Sequence, residues 1–239
     1  NNPLGITPDV TNMPQLSFLD LNHTGITEVP PGLANRPRLE AAILSNNRIS
    51  ALPAELFTLP AAVSEHFDLA NNPFTPTTLE QVKIYFQRTG SHWEATPHAL
   101  DVARVKALYP SFNDSEVRSF IFGLHGTLEM GRIELTRLEQ EYTALQTELT
   151  QWATQAPRPQ DIQTRQTFKA LLEACWRKES ALDERSTSIV PTYALRVPSP
   201  LAGDLPALGV LFREVSSLEL QGNASPLQVA QFLKAFPQL

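Results

Sequence analysis

The chain has 239 residues, 42% hydrophobic and 18% charged, with a formal net charge of -6, a balance that fits a soluble globular protein and argues against a nucleic-acid or anionic-membrane partner. No run of 18 apolar residues occurs, so no membrane span is expected. One cysteine cannot close an internal disulfide, which removes any disulfide framework without excluding secretion.

From the N-terminus, one spacing recurs. Leu16, Leu19, Leu21, Thr24 and Ile26 are followed by Leu39, Ala42, Leu44, Asn47 and Ile49, then by Ser64, Phe67, Leu69, Asn72 and Phe74. Asn2 and Leu4 supply the tail of an earlier copy. The asparagine positions 2, 24, 47 and 72 lie 22, 23 and 25 residues apart, inside the roughly 20–29 of a leucine-rich repeat. Alternating residues of a strand point to opposite faces, so the leucines are expected inward and their neighbours outward. The asparagine amide can satisfy backbone groups where the chain leaves the strand. "EVPPGL" and "ALPAELFTL" then return on the other side, where proline resists a regular helix.

The period changes after Phe74. "TPTTLEQVKIYFQRTG" predicts a helix with Thr77 or Thr78 as N-cap, Glu80 near the first turn and Gly90 as its stop. "ALDVARVKALY" predicts a second helix. "NDSE" opens a third, carrying Val117, Phe120, Ile121, Leu124 and Leu128, with Gly123 and Gly126 weakening its continuity. Leu135, Leu138, Tyr142, Leu145, Leu149 and Trp152 alternate by three and four, a seam that wants a partner helix. "TQAPRPQ" supplies a turn, and Ile162, Phe168, Leu172, Cys175 and Leu182 form the returning stripe, interrupted by Arg165 and Glu179. Because the seam is short, an antiparallel hairpin within one chain is expected rather than a dimerising coiled coil.

"IVPTYALRVPSPLAGD" reads as an extended return path, after which "SLELQGN" resumes the repeat with Val215, Leu218, Leu220 and Asn223. A shared P-x-L precedes the strands at Pro14, Pro37 and Pro237, so Leu239 reads as the first leucine of a further copy. Terminal repeats need a polar cap, and none follows Leu239, so the chain is expected to be a piece of a longer protein. The fold class expected is an α/β solenoid of leucine-rich repeats with a mainly α-helical insert containing an antiparallel hairpin. The divisions expected are 1–96 for repeats with a closing helix, 97–204 for the helical insert, and 205–239 for the start of a second repeat block.

"FLDLNHTGITEVPPGL" and "SNNRISALPAELFTLP", with "YFQRTG", "LYPSF", "EYTALQTELTQW" and "CWRKE", resemble the large leucine-rich-repeat proteins of Gram-negative bacteria. The resemblance implies long secreted or host-delivered effectors or toxin-like proteins, some ending in the novel E3 ubiquitin ligase domain. That domain uses a nucleophilic cysteine in a Cys-x-Asp motif. Here Cys175 is followed by Trp176 and Arg177, so the aspartate is missing. Cys175 is expected to be a buried, inert thiol, although Arg177 and Lys178 are cations of the kind that lower a thiolate pKa.

Other chemistry is sparse. His92, Glu94 and His98 match no compact metal-binding spacing and are expected in a solvated loop. "FGLHGT" lacks the Lys-Ser/Thr of a phosphate loop, and no G-x-S-x-G elbow occurs. No enzyme activity, metal or cofactor is expected. What remains is the concave face, where Phe18, Ala41 and His66, then Asp20, Ile43 and Asp68, then Asn22, Ser45 and Ala70 line up across successive strands. Apolar Phe18 and Ile43 beside Asp20 and Asp68 suit a protein or peptide partner, including a host protein, bound by a monomer. The alternative expectation is a part that positions substrate for a ligase or toxin domain elsewhere; a third is a helical spacer.

Overall fold

The computed structural model describes residues 3–155, 159–177, 193–198 and 215–221. Strands β1 (Phe18–Asp20), β2 (Ala41–Ile43) and β3 (Phe67–Asp68) form a parallel sheet in that order. Phe18 lies beside Ala41, Asp20 beside Ile43, and Ile43 beside Asp68. Between strands the chain returns through 3-10 turns at Leu33–Asn35 and Leu56–Thr58 and the short helix α1 (Ala61–Ser64). Proline explains these short returns, because it fixes φ and removes a backbone donor.

Leu21, Leu44 and Leu69 are buried in one core with Ile26, Ile49 and Phe74. Two asparagines let the chain turn out of that core. Asn47 Oδ1 accepts from the Thr24 and Gly25 N–H groups (3.0 and 2.8 Å), while its Nδ2 donates to the Leu21, Leu44 and Ser45 carbonyls. Asn72 repeats the device one strand later, accepting from Ile49 N–H and donating to the Leu44 and Leu69 carbonyls. One planar amide thus satisfies backbone groups of two adjacent turns at a place closed to water.

The α/β solenoid expected from the spacing is nevertheless not the fold. About half of the structure is helical, and the three-stranded sheet is neither curled nor closed. Its far edge shows why it stops. Leu69 N–H donates to the Trp93 carbonyl at 2.9 Å, but Trp93 and Glu94 take left-handed backbone angles (φ 49° and 56°) that cannot continue a strand.

Contacts divide the chain into two compact units, residues 1–106 with 112–135 and residues 107–111 with 136–239. Residue 97 lies within the first of these units, and residue 205 lies outside the described residues.

In the first unit, α2 (Pro76–Thr89) is capped by Thr75 rather than by Thr77 or Thr78. Thr75 Oγ1 accepts from Thr78 N–H, Pro76 fills the first turn where no N–H is needed, and Gly90 closes the helix at φ 78°. Thr78 is buried instead, donating to the Ser50 carbonyl. Helix α3 (Ala99–Leu108) follows. Helix α4 (Asp114–Gly123) opens with a reciprocal capping box between Asn113 and Glu116.

Helix α2 also ties down the far end of α4. The Lys83 side chain is fully buried, and its Nζ donates to the Phe122, Leu124 and Ile121 carbonyls. A cation at the negative end of a helix is favourable, yet burial still pushes the Lys83 amine below its ordinary value, opposed by Glu80. Glu80 does the converse, accepting from Leu128 N–H at 2.8 Å where α5 begins. One helix face thereby supplies an anion to an N-terminus and a cation to a C-terminus.

In the second unit, α5 (Leu128–Thr154), which starts in the first, packs antiparallel to α6 (Pro159–Trp176). Near one end Arg165 donates to the Trp152 carbonyl at 2.8 Å and covers its ring. Toward the other end Tyr142 stacks on Trp176 with centroids 4.6 Å apart. Arg165, read from sequence as an interruption of the stripe, is 6% exposed and joins the buried side. Strands β4 (Tyr193–Pro198) and β5 (Val215–Gln221) pair in parallel, with Leu195 beside Leu218 and Val197 beside Leu220. The stretch expected to be only a return path therefore contains the neighbour of the "SLEL" strand. Asn223, Pro237 and Leu239 lie outside the described residues. Among the described residues, no helix is long and apolar enough to cross a membrane.

Candidate functional site

Parallel pairing carries the outward residues of the three strands into rows. Phe18, Ala41 and His66 make one row, and Asp20, Ile43 and Asp68 the next. Phe18 is 58% exposed although it sits in a strand. Ala41, Ile43, His66 and Asp68 are half-buried, and Asp20 is exposed. The Nδ1 atom of His66 is buried without a partner among the described residues.

Both carboxylates of the central row are fixed by the backbone. Asp20 Oδ1 accepts from Asn22 N–H at 2.9 Å, and Asp68 Oδ1 accepts from Ala70 N–H at 3.0 Å. Each closes a local turn that holds its side chain at the end of its strand. With strands about 4.8 Å apart, the two aspartates stand roughly 10 Å apart across Ile43. The row therefore presents two oriented anions with an aliphatic side chain between them.

The third expected row behaves differently. Asn22 is exposed and Ala70 half-buried, but Ser45 is only 3% exposed and is not part of the surface. At Ser45 the chain is already turning into the left-handed residue Asn46, and the Ser45 carbonyl receives His23 N–H and Asn47 Nδ2. Strand alternation no longer applies there.

Sequence reasoning missed a ladder at this corner. Asn46 Nδ2 donates to Asn22 Oδ1 at 3.2 Å, and Asn71 Nδ2 donates to Asn46 Oδ1 at 3.0 Å. Asn71 N–H then donates to Thr96 Oγ1 at 2.9 Å. Its signal is the doublets Asn46-Asn47 and Asn71-Asn72, in which the first residue takes φ of 57° or 55° and stays less buried than the second, which turns inward. Asparagine tolerates that region because its short amide bonds locally.

The residues weighed as metal ligands have separate occupations. His92 is 7% exposed rather than solvated, Glu94 pairs with Arg118, and His98 is exposed and accepts from Leu100 N–H. Among the described residues no group of three His, Cys, Asp or Glu is placed to hold a metal. Cys175 belongs to α6, and its side chain lies outside the described ones.

No family model, no curated protein and no solved structure matches the chain.

Proposed function

We propose that the outer face of the β1-β2-β3 sheet is a recognition surface for a segment of a partner protein. The observation that carries this reading is the exposed Phe18 ring on the strand of Asp20, together with the row Asp20, Ile43 and Asp68, in which two backbone-fixed carboxylates flank Ile43. An apolar centre rimmed by charge is the composition of a protein-binding patch. The partner segment that fits best places an apolar side chain against Phe18 and Ile43 and lysine or arginine on either side. Pinned carboxylates favour such cations because little side-chain freedom is lost on binding. The setting we propose is a monomeric module of a bacterial effector-like protein, secreted or delivered to a host cell, with a host protein as the partner. It acts by binding, without catalysis of its own.

Phe18→Glu tests this reading. More than half exposed, Phe18 leaves folding almost untouched when replaced, within about 0.5 kcal/mol of wild type. Loss of an aromatic anchor costs about 2 kcal/mol or more in binding, roughly 30-fold in affinity. Thermal melting of the variant, with capture of host-cell proteins on wild type and variant in parallel, gives the result. A variant that melts normally and keeps every wild-type partner rejects the face as the binding surface. Ile43→Glu, in the middle of the acidic row, should lose the same partners.

A further inference from the structure

We propose that the turn His92–Ala95 is a proton-operated latch on the far edge of the sheet. Neutral His92 holds the turn closed, and protonation at Nδ1 releases it.

The turn closes the sheet through one bond, from Leu69 N–H to the Trp93 carbonyl. Its backbone is held in an unfavourable form, because Trp93 and Glu94 are consecutive non-glycine residues in the left-handed region. Such residues persist only where their surroundings over-determine them. Five contacts do so here. The Trp93 ring stacks on Tyr85 with centroids 4.2 Å apart and meets Phe57 edge-on. The Glu94 carboxylate pairs with the Arg118 guanidinium. Ala95 N–H donates to the His92 carbonyl at 2.8 Å. Finally, Glu94 N–H donates to His92 Nδ1 at 3.2 Å.

The last bond makes the latch sensitive to protons. An Nδ1 that accepts a hydrogen bond carries no proton, so the neutral ring is the Nε2–H tautomer. The ring stacks on Phe86 of α2 (5.7 Å) and tilts against Phe122 of α4 (6.1 Å), where charge is poorly solvated. Burial accordingly holds the imidazole below its ordinary pKa; Glu94 pulls it upward, Arg118 pushes it down, and a hydrogen bond to the backbone of His92 itself pulls it upward again.

The charged groups facing the ring can be assigned by element. The turn brings Glu94, α4 brings Arg118, and the segment before β3 brings Glu65, which lines the same cavity of about 330 Å³. Helix α2 brings Phe86, while its Lys83 is bound to carbonyls at the end of α4. Adding a proton to Nδ1 turns an acceptor into a donor aimed at the Glu94 N–H. Two donors then face each other, and the bond holding the left-handed pair is lost. The Trp93 carbonyl is freed to swing away, and Leu69 N–H beside Asp68 loses its acceptor.

The sign follows from linkage. A base whose pKa is lowered by folding binds more protons in the unfolded or opened state. Closure is complete above about pH 6.5 and weakens as pH falls below it.

Amide hydrogen exchange measured by NMR on the whole chain between pH 7.5 and 5.0, corrected for intrinsic rates, tests the latch. Protection of Leu69 should fall about tenfold or more on acidification, reporting a local opening. Leu44, whose N–H donates to the Asp68 carbonyl at 2.8 Å, should keep its protection. In His92→Phe, which retains the aromatic packing without the nitrogen, Leu69 protection should be independent of pH. An unchanged Leu69 across this range, or the same fall in His92→Phe, overturns the proposal. If His92→Phe fails to fold, the wild-type imidazole nitrogen shifts decide. An Nδ1–H tautomer at pH 7.5, or an imidazole that titrates without loss of Leu69 protection, overturns it equally.

Discussion

Asn47→Ala should lower the unfolding free energy of the first unit by about 3–5 kcal/mol, although it removes only one polar side chain. Asn47 is 8% exposed, and its amide serves two N–H donors and three carbonyls drawn from two successive turns. Each buried backbone group left without a partner costs about 1–3 kcal/mol. The carbonyls tolerate the loss better than the Thr24 and Gly25 N–H groups, because a carbonyl retains a second lone pair. Asn46→Ala is the control. Asn46 is the neighbouring residue, sits on the outer ladder, and gives up only two side-chain bonds near solvent. Its left-handed backbone adds about 1 kcal/mol against alanine, so its loss should stay well below that of Asn47. Urea denaturation followed by circular dichroism separates the two through the midpoint, provided the slope is unchanged. Equal losses at both positions would mean that the buried amide is not what holds the turns together.

The same contrast shows what a sequence of this kind discloses. The inward positions were legible because their causes are local: strand alternation buries Leu21, Leu44 and Leu69, and an amide at Asn47 and Asn72 can serve only a tight turn. The capping of α4 was legible for the same reason, since Asn113 and Glu116 stand at the spacing that lets each reach the other's backbone. Three threonines around Pro76 left the start of α2 open, and the choice of Thr75 depends on the proline next to it. The end of the sheet was not legible at all. Nothing local marks Trp93 and Glu94 for left-handed backbone, because Tyr85, Phe57 and Arg118 impose it from elsewhere in the chain. Nor does a helical pattern reveal that Lys83 points inward, since the carbonyls that receive it belong to the end of α4.

For the outer face, alternation sufficed where the strand is regular and failed where it ends. Phe18, Asp20, Ile43 and Asp68 come together in two adjoining rows, while Ser45 turns in with the corner. The fixing of both aspartates depends on a backbone N–H two residues on, a contact that spacing alone does not announce.

Leu145→Ala should destabilise the second unit by about 2–5 kcal/mol while the chain remains monomeric. Leu145 is fully buried, with Leu149, Tyr142 and Trp152 on the same side of α5 and Leu172 buried on α6. Cutting its side chain back to a methyl removes three carbons from that interface and leaves a cavity the surroundings fill only in part. The opposing idea is that the seam zips two copies together, in which case the same substitution would convert dimer to monomer. The outer side of α5 along the seam, from Thr136 onward, argues against a second one. Thr136, Gln140, Thr143 and Thr147 are exposed, and Thr143 and Thr147 spend their hydroxyls on carbonyls one turn back. Such a polar surface offers no knobs for a partner helix. The buried side is already occupied within the chain, where Tyr142 stacks on Trp176 and Arg165 closes over Trp152. Sedimentation equilibrium of wild type and variant, with thermal melting over a range of concentrations, distinguishes the two arrangements. A melting temperature that rises with protein concentration in the wild type, and a dimer that dissociates in Leu145→Ala, would reject the intrachain hairpin.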